Sequence, residues 1–147
     1  MQPLVLVTRP KSESSQTAKQ LHSAGFCPLL CPALSVHFFD QAQELNLGSA
    51  TALMATSPQG IRWMKSKPYL HHLPLYVVGK ASATLAQEIG FEQIYTGPGN
   101  AQDLCELIIT EFKNTGSILY IRGKEIRFDA ATFFAQKGQS FLEEIVS

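Results

Sequence analysis

No stretch of this sequence is long and apolar enough to span a membrane. The opening MQPLVLVTRP has an apolar run of only five residues, with its positive charge after it and not before, so it does not read as a secretory signal. Charge of either sign is not in excess: 12 Lys and Arg face 12 Asp and Glu. A general nucleic-acid surface is therefore not expected. Cysteine is scarce and odd in number. Cys27, Cys31 and Cys105 follow no disulfide-framework spacing and read as reduced, partly buried thiols. A Cys27/Cys31 metal site lacks two further ligands, and His22, His37, His71 and His72 form no H-E-x-x-H pattern. Neither a P-loop nor a G-x-G-x-x-G fingerprint occurs. The expectation is a cytoplasmic protein with no metal, no cofactor, no membrane segment and no nucleic-acid partner.

What is present is a globular composition, 45% hydrophobic and 16% charged over 147 residues, enough for one ordinary domain or two small ones. One unit recurs: a short apolar run, a polar loop, then a helical pattern closed near glycine. Strands are expected over 4–7, 29–36, 50–55, 75–78, 92–95, 117–121 and 140–146. Helices are expected over 11–24, 41–47, 58–65, 81–89, 101–113 and 128–137. Ser57 precedes Pro58 as a candidate cap, and Asn100 precedes a helix with Asp103 in its first turn. Such alternation predicts an α/β fold with parallel sheets covered by helices. Right-handed crossovers then bring every strand's carboxyl end to one edge, where open α/β sheets bind ligands.

Four strand-ending loops can therefore be read together: VTRP (7–10), ATSPQG (55–60), VGKASA (78–83) and IRGKEIR (121–127). They offer Thr8, Arg9, Thr56, Ser57, Gly79, Lys80, Ser82, Arg122 and Lys124, with Glu125 their only carboxylate. Hydroxyls, helix N-termini and cations collected at a ligand edge point to an anionic small molecule. Each loop alone reads first as a helix cap, and only the coincidence of four of them points to function. No nucleophile–base pair, carboxylate pair or metal cluster is apparent, so the catalytic residues are unknown. An enzyme of this kind would work by holding a reactive substrate in shape and stabilising charge. Trp63 and Met64 read as core or groove wall.

At these loops the sequence resembles uroporphyrinogen-III synthase. LVLVTRP is similar to that family's opening strand and Thr-Arg-Pro loop. ATSPQGIRWM is similar to its Thr-Ser loop and following helix, LYVVGKASATLAQEIGF to its Val-Gly strand end, and ILYIRGKEIRFDAATFFAQKG to its Arg-Gly segment. Gly25 and Pro32 stand where the family has glycine and proline. The resemblance implies two α/β domains joined by linker strands, with substrate in the cleft between them. It implies closure of the linear tetrapyrrole hydroxymethylbilane into a ring, with inversion of the last pyrrole, loss of water and no cofactor. That substrate is a polycarboxylate, so the Gly79–Ser82 segment would face carboxylates and not phosphate. Substrate contact would fall to Arg9, Thr56, Ser57, Gly79, Ser82 and Arg122.

The chain departs from the family in three ways. Ser82 stands where threonine is usual. The tyrosine thought to help the hydroxyl leave falls at or just past Ser147. The second half of the first domain is absent. The resulting expectation is a shortened member: residues 36–147 a flavodoxin-like, parallel-sheet α/β domain, and residues 1–35 the β-α-β first half of an incomplete α/β domain. That half would leave apolar surface and strand edges bare, and would self-associate or await a partner. The alternative is a non-catalytic α/β module that binds a small anion or tetrapyrrole.

Overall fold

The computed structural model describes residues 1–33, 35–38, 45, 47–113 and 115–147. The helix expected over 41–47 lies outside them, apart from Leu45 and Leu47. The chain divides into two units, Met1–His37 and Phe38–Ser147.

In the first unit, β1 (Leu4–Val7), α1 (Lys11–Ser23) and β2 (Cys27–Leu30) form one β-α-β turn, with the two strands parallel and Leu4 opposite Cys27. Side chains alternate across a strand. Val7 is buried and Val5 half-buried, whereas Leu4, Leu6 and Leu29 stand 68%, 56% and 50% exposed. One face of this two-stranded sheet is thus apolar and bare within the unit. The second strand is shorter and earlier than the 29–36 expected, because the chain leaves the ladder before Pro32.

The second unit is built from β3 (Ala50–Ala55), α2 (Pro58–Met64), β4 (Leu75–Val78), α3 (Lys80–Ile89), β5 (Ile94–Gly97), α4 (Ala101–Glu111), β6 (Ser117–Arg122), α5 (Ala130–Gln136) and β7 (Phe141–Ile145). All pairings in its five-stranded sheet are parallel, in the order β5-β4-β3-β6-β7. Counted along the chain this is 3-2-1-4-5. The flavodoxin-like expectation from the sequence specifies no strand order; flavodoxin itself has the order 2-1-3-4-5, which this sheet does not adopt. Alternating strands and helices specify parallel pairing and crossover hand, but not the side on which each new strand joins.

The order explains the layers. From β3 the chain builds outward through β4 to β5, then returns to build outward on the other side of β3. Right-handed crossovers in opposite directions place their helices on opposite faces. Leu53, Ala55, Leu75, Val77, Leu119 and Ile121 accordingly pack with Ile61, Trp63 and Met64 of α2 and Ala86 of α3. Ala52, Met54, Tyr76, Ile118 and Tyr120 pack with Leu104 and Ile108 of α4 and Phe134 of α5. Trp63 and Met64 are core residues, and Lys67 Nζ lies 4.4 Å from the Trp63 ring centroid. Gly60 permits α2 to lie against β6, since a Cβ there would sit 2.8 Å from the Ile121 carbonyl oxygen. Among the described residues no helix is long and apolar enough to cross a membrane.

Candidate functional site

The carboxyl edge of the five-stranded sheet is the place to look, and its order picks out one point on it. The chain reverses its direction of growth between β3 and β6. There the loop leaving β3 heads toward one face and the loop leaving β6 toward the other, which opens a crevice. Thr56 and Ser57 follow β3, and Arg122 closes β6. The segment from Gly79 to Ser82 follows β4, on the far side of β3. Five of the six residues singled out in the sequence thus share one sheet edge. Arg9 belongs to the first unit, at the carboxyl end of β1.

Thr56 is half-buried, and its Oγ1 lies 2.6 Å from the Tyr120 phenol oxygen. Tyr120 is 2% exposed. Burial pushes its phenol above the usual tyrosine range, opposed by the bond to Thr56. Ser57 occupies the cap position of α2 in extended conformation, yet its side chain makes no capping hydrogen bond. The cap expected from the sequence is therefore not formed, and the serine hydroxyl is not spent on the helix.

Gly79 caps α3 at φ 81° and ψ 158°, a region open in practice only to glycine. It brings no side chain to the helix start. The first helical bond runs from the Ala83 N–H to the Gly79 carbonyl at 3.2 Å, leaving the N–H groups of Lys80, Ala81 and Ser82 without a helical acceptor. Ser82 is buried in this first turn and Lys80 is exposed. A cavity of about 440 Å³ runs along α3 and the edge strand β5, lined by Lys80, Thr84, Gln87, Phe91, Ile94 and Thr96 among others. It lies two strands away from the crevice.

Arg122 is less open than its position in the sequence implies. Its Nε donates to Glu143 Oε1 and its Nη2 to Glu143 Oε2 on β7, each at 3.3 Å, and Nη1 donates to the carbonyls of Gly123 and Lys124. It clasps the loop that follows β6, which is tied again where the Lys124 N–H meets the Ser147 carbonyl at 2.8 Å. Arg9 donates to Thr17 Oγ1 at 3.0 Å and stands 3.6 Å from Glu13, both on α1. Sequence reading missed Tyr120 and Glu143. Tyr120 looked like one more apolar strand residue, and Glu143 sits on a strand with no motif. The available signal was a tyrosine at an inward strand position, since a buried phenol needs a partner. Among the described residues no cluster of His, Cys, Asp and Glu is fit to hold a metal ion.

The chain also resembles known proteins in sequence and fold. The family model described as uroporphyrinogen-III synthase HemD matches residues 15–146. No curated protein matches. Among solved structures, the uroporphyrinogen-III synthetase from Helicobacter pylori 26695 aligns with 99% of this chain and 61% of its own, at 20% identity and TM-score 0.61. The Thermus thermophilus uroporphyrinogen III synthase aligns over 99% and 62%, at 18% identity and TM-score 0.51. At such identities the structures speak to the fold: α/β with parallel sheets. The chain spans about three fifths of the length of each.

Proposed function

We propose that this chain, which belongs to the uroporphyrinogen-III synthase family, binds hydroxymethylbilane at the carboxyl edge of its five-stranded sheet and takes part in its cyclisation to uroporphyrinogen III, a step of tetrapyrrole (heme) biosynthesis. The observation that carries this reading is the reversal of the sheet order between β3 and β6, the place where open α/β sheets bind ligands. That place presents a serine hydroxyl not used as a helix cap, a threonine hydroxyl and, one strand away, a glycine-opened helix start, and the Glu143 carboxylate beside it is paired with Arg122. Such a surface suits the acetate and propionate groups of a linear tetrapyrrole.

In this reading Thr56, Ser57, Gly79 and Ser82 hold carboxylates. Arg122 does so by exchanging Glu143 for substrate. The protein's work is to hold the chain in a reactive curl while charge develops as water leaves, with hydroxyls and N–H groups already in place. On this reading the bare leucine face of the first unit takes up a second copy of the chain.

The test is a cyclisation assay. Purified chain is mixed with freshly generated hydroxymethylbilane, and the type III to type I ring ratio is read after oxidation. Type III above the enzyme-free blank supports the synthase. Type I alone, with tetrapyrrole still bound, replaces it with the reading of a non-catalytic tetrapyrrole or small-anion module. Neither turnover nor binding overturns both.

A further inference from the structure

Tyr120 sits where a phenylalanine would fill the same space. Its ring lies in the core facing α4 and α5, tilted against Phe141 at 6.1 Å. In the sheet register it stands opposite Met54, two residues before Thr56 on the same face of β3. The phenol therefore reaches diagonally toward the carboxyl edge and meets Thr56 Oγ1 at 2.6 Å, at the point where the sheet reverses its order. A buried phenol must find a partner. What distinguishes this one is that the partner stands at the ligand edge.

The direction of the bond decides its use. A threonine hydroxyl has one proton and two lone pairs. A phenol is the stronger acid of the two and the better donor, and this one stays protonated across ordinary pH because burial raises it. With the phenol donating, Thr56 accepts at Oγ1 and keeps its own proton to give. Threonine is also stiff at χ1, which fixes where Oγ1 stands, and the bond it accepts from the phenol takes up one lone pair and so narrows where its own proton can point.

We infer that Tyr120 is a positioning residue, holding Thr56 as a preset hydrogen-bond donor to a carboxylate of the ligand in the crevice between β3 and β6. This rests on the function proposed above, because it takes the polycarboxylate to be the occupant. Preorganised donors cost no reordering when the anion arrives, which is the reason to spend a buried polar atom on one.

The experiment is a fluorescence titration of the full chain with uroporphyrin, a stable porphyrin octacarboxylate, alongside urea unfolding of each variant. Tyr120→Phe is expected to weaken binding roughly 3- to 10-fold, the range of one lost hydrogen bond. Thr56→Val should lose a similar factor, Thr56→Ser should recover most of it, and the double variant should lose no more than the worse single one. A Tyr120→Phe protein with lowered stability and unchanged affinity makes the phenol a core group and overturns the inference alone. Additive losses in the double variant overturn it too. Failure of the wild-type chain to bind uroporphyrin overturns the proposed function and this inference together.

Discussion

Arg122 on β6 and Glu143 on β7 face each other as a fork on a carboxylate, with both contacts at 3.3 Å. The arginine side chain is 12% exposed and the glutamate 27%. The pair fixes the arginine beside the crevice, and also competes there with any incoming carboxylate. Glu143→Gln removes the competitor while keeping the size of the side chain. The expected outcome is a stability loss below about 1 kcal/mol in urea unfolding, as for a partly solvated pair, with tighter uroporphyrin binding. Weaker binding would mean that Glu143 must aim the arginine, and that Arg122 does not trade it for substrate.

Gly79 and Gly60 make opposite demands. At Gly79 a Cβ would meet nothing within 4 Å, yet the backbone lies at φ +81°. Gly79→Ala should therefore cost about 1–3 kcal/mol through strain alone. At Gly60 the backbone is ordinary and the space is not, because the Ile121 carbonyl lies 2.8 Å from the added carbon. Gly60→Ala should cost a similar amount, about 1–3 kcal/mol, by pushing α2 off β6. Anion binding separates the two. Gly79→Ala should also weaken uroporphyrin binding, since relieving the strain turns the N–H groups of the α3 start.

Two residues expected to cap helices behave differently. Asn100 Oδ1 accepts from the Asp103 N–H at 2.9 Å, while Ser57 makes no such bond. Asn100→Ala should cost about 1 kcal/mol. Ser57→Ala should stay within about 0.5 kcal/mol of wild type. Any effect of Ser57→Ala on binding or turnover can then be read without a stability correction. A loss of 1 kcal/mol or more for Ser57→Ala would show that the hydroxyl does cap α2 in solution.

Much of this was legible from period and punctuation. Leu4–Val7, Ala50–Ala55 and Leu75–Val78 are strands over the residues expected, because each is a short apolar run stopped by a polar or glycine residue. Helix α3 ends at Gly90, whose φ of 112° suits glycine alone, as its place after the last apolar residue foretold. The strand order was not legible, since it depends on which edge of a growing sheet is more apolar and not on any one segment. For the same reason the crevice could be located only once β3 and β6 were seen side by side. The Tyr120–Thr56 and Arg122–Glu143 pairs join residues 64 and 21 positions apart, distances over which no local pattern speaks.

The cysteines report on burial directly. Cys105 is fully buried in α4, and burial pushes its thiol up to about 12. Cys27 and Cys31 are exposed. At pH 8 only thiolate reacts, so a thiol reagent should modify Cys27 and Cys31 promptly and Cys105 only on unfolding. Counting released chromophore before and after adding denaturant checks this. Prompt reaction at Cys105 would mean that α4 opens readily from the sheet.

Cys27 also lies on the strand that faces outward in the first unit, beside Leu4, its register partner. A sheet of two strands is marginal by itself, and here Leu4, Leu6 and Leu29 leave apolar area in water. The central strands β3 and β6 have partners on both edges and helices on both faces. Hydrogen exchange followed by mass spectrometry should therefore find peptides over 4–7 and 27–30 fully exchanged while those over 50–55 and 117–122 remain protected. If the bare face takes up a second copy, raising the protein concentration should slow exchange in the first pair alone. It should also slow Cys27 modification and shift the sedimentation coefficient. Full protection of 4–7 in a dilute monomer would show that the first unit is stable alone, and its leucine face would then have no need of a partner.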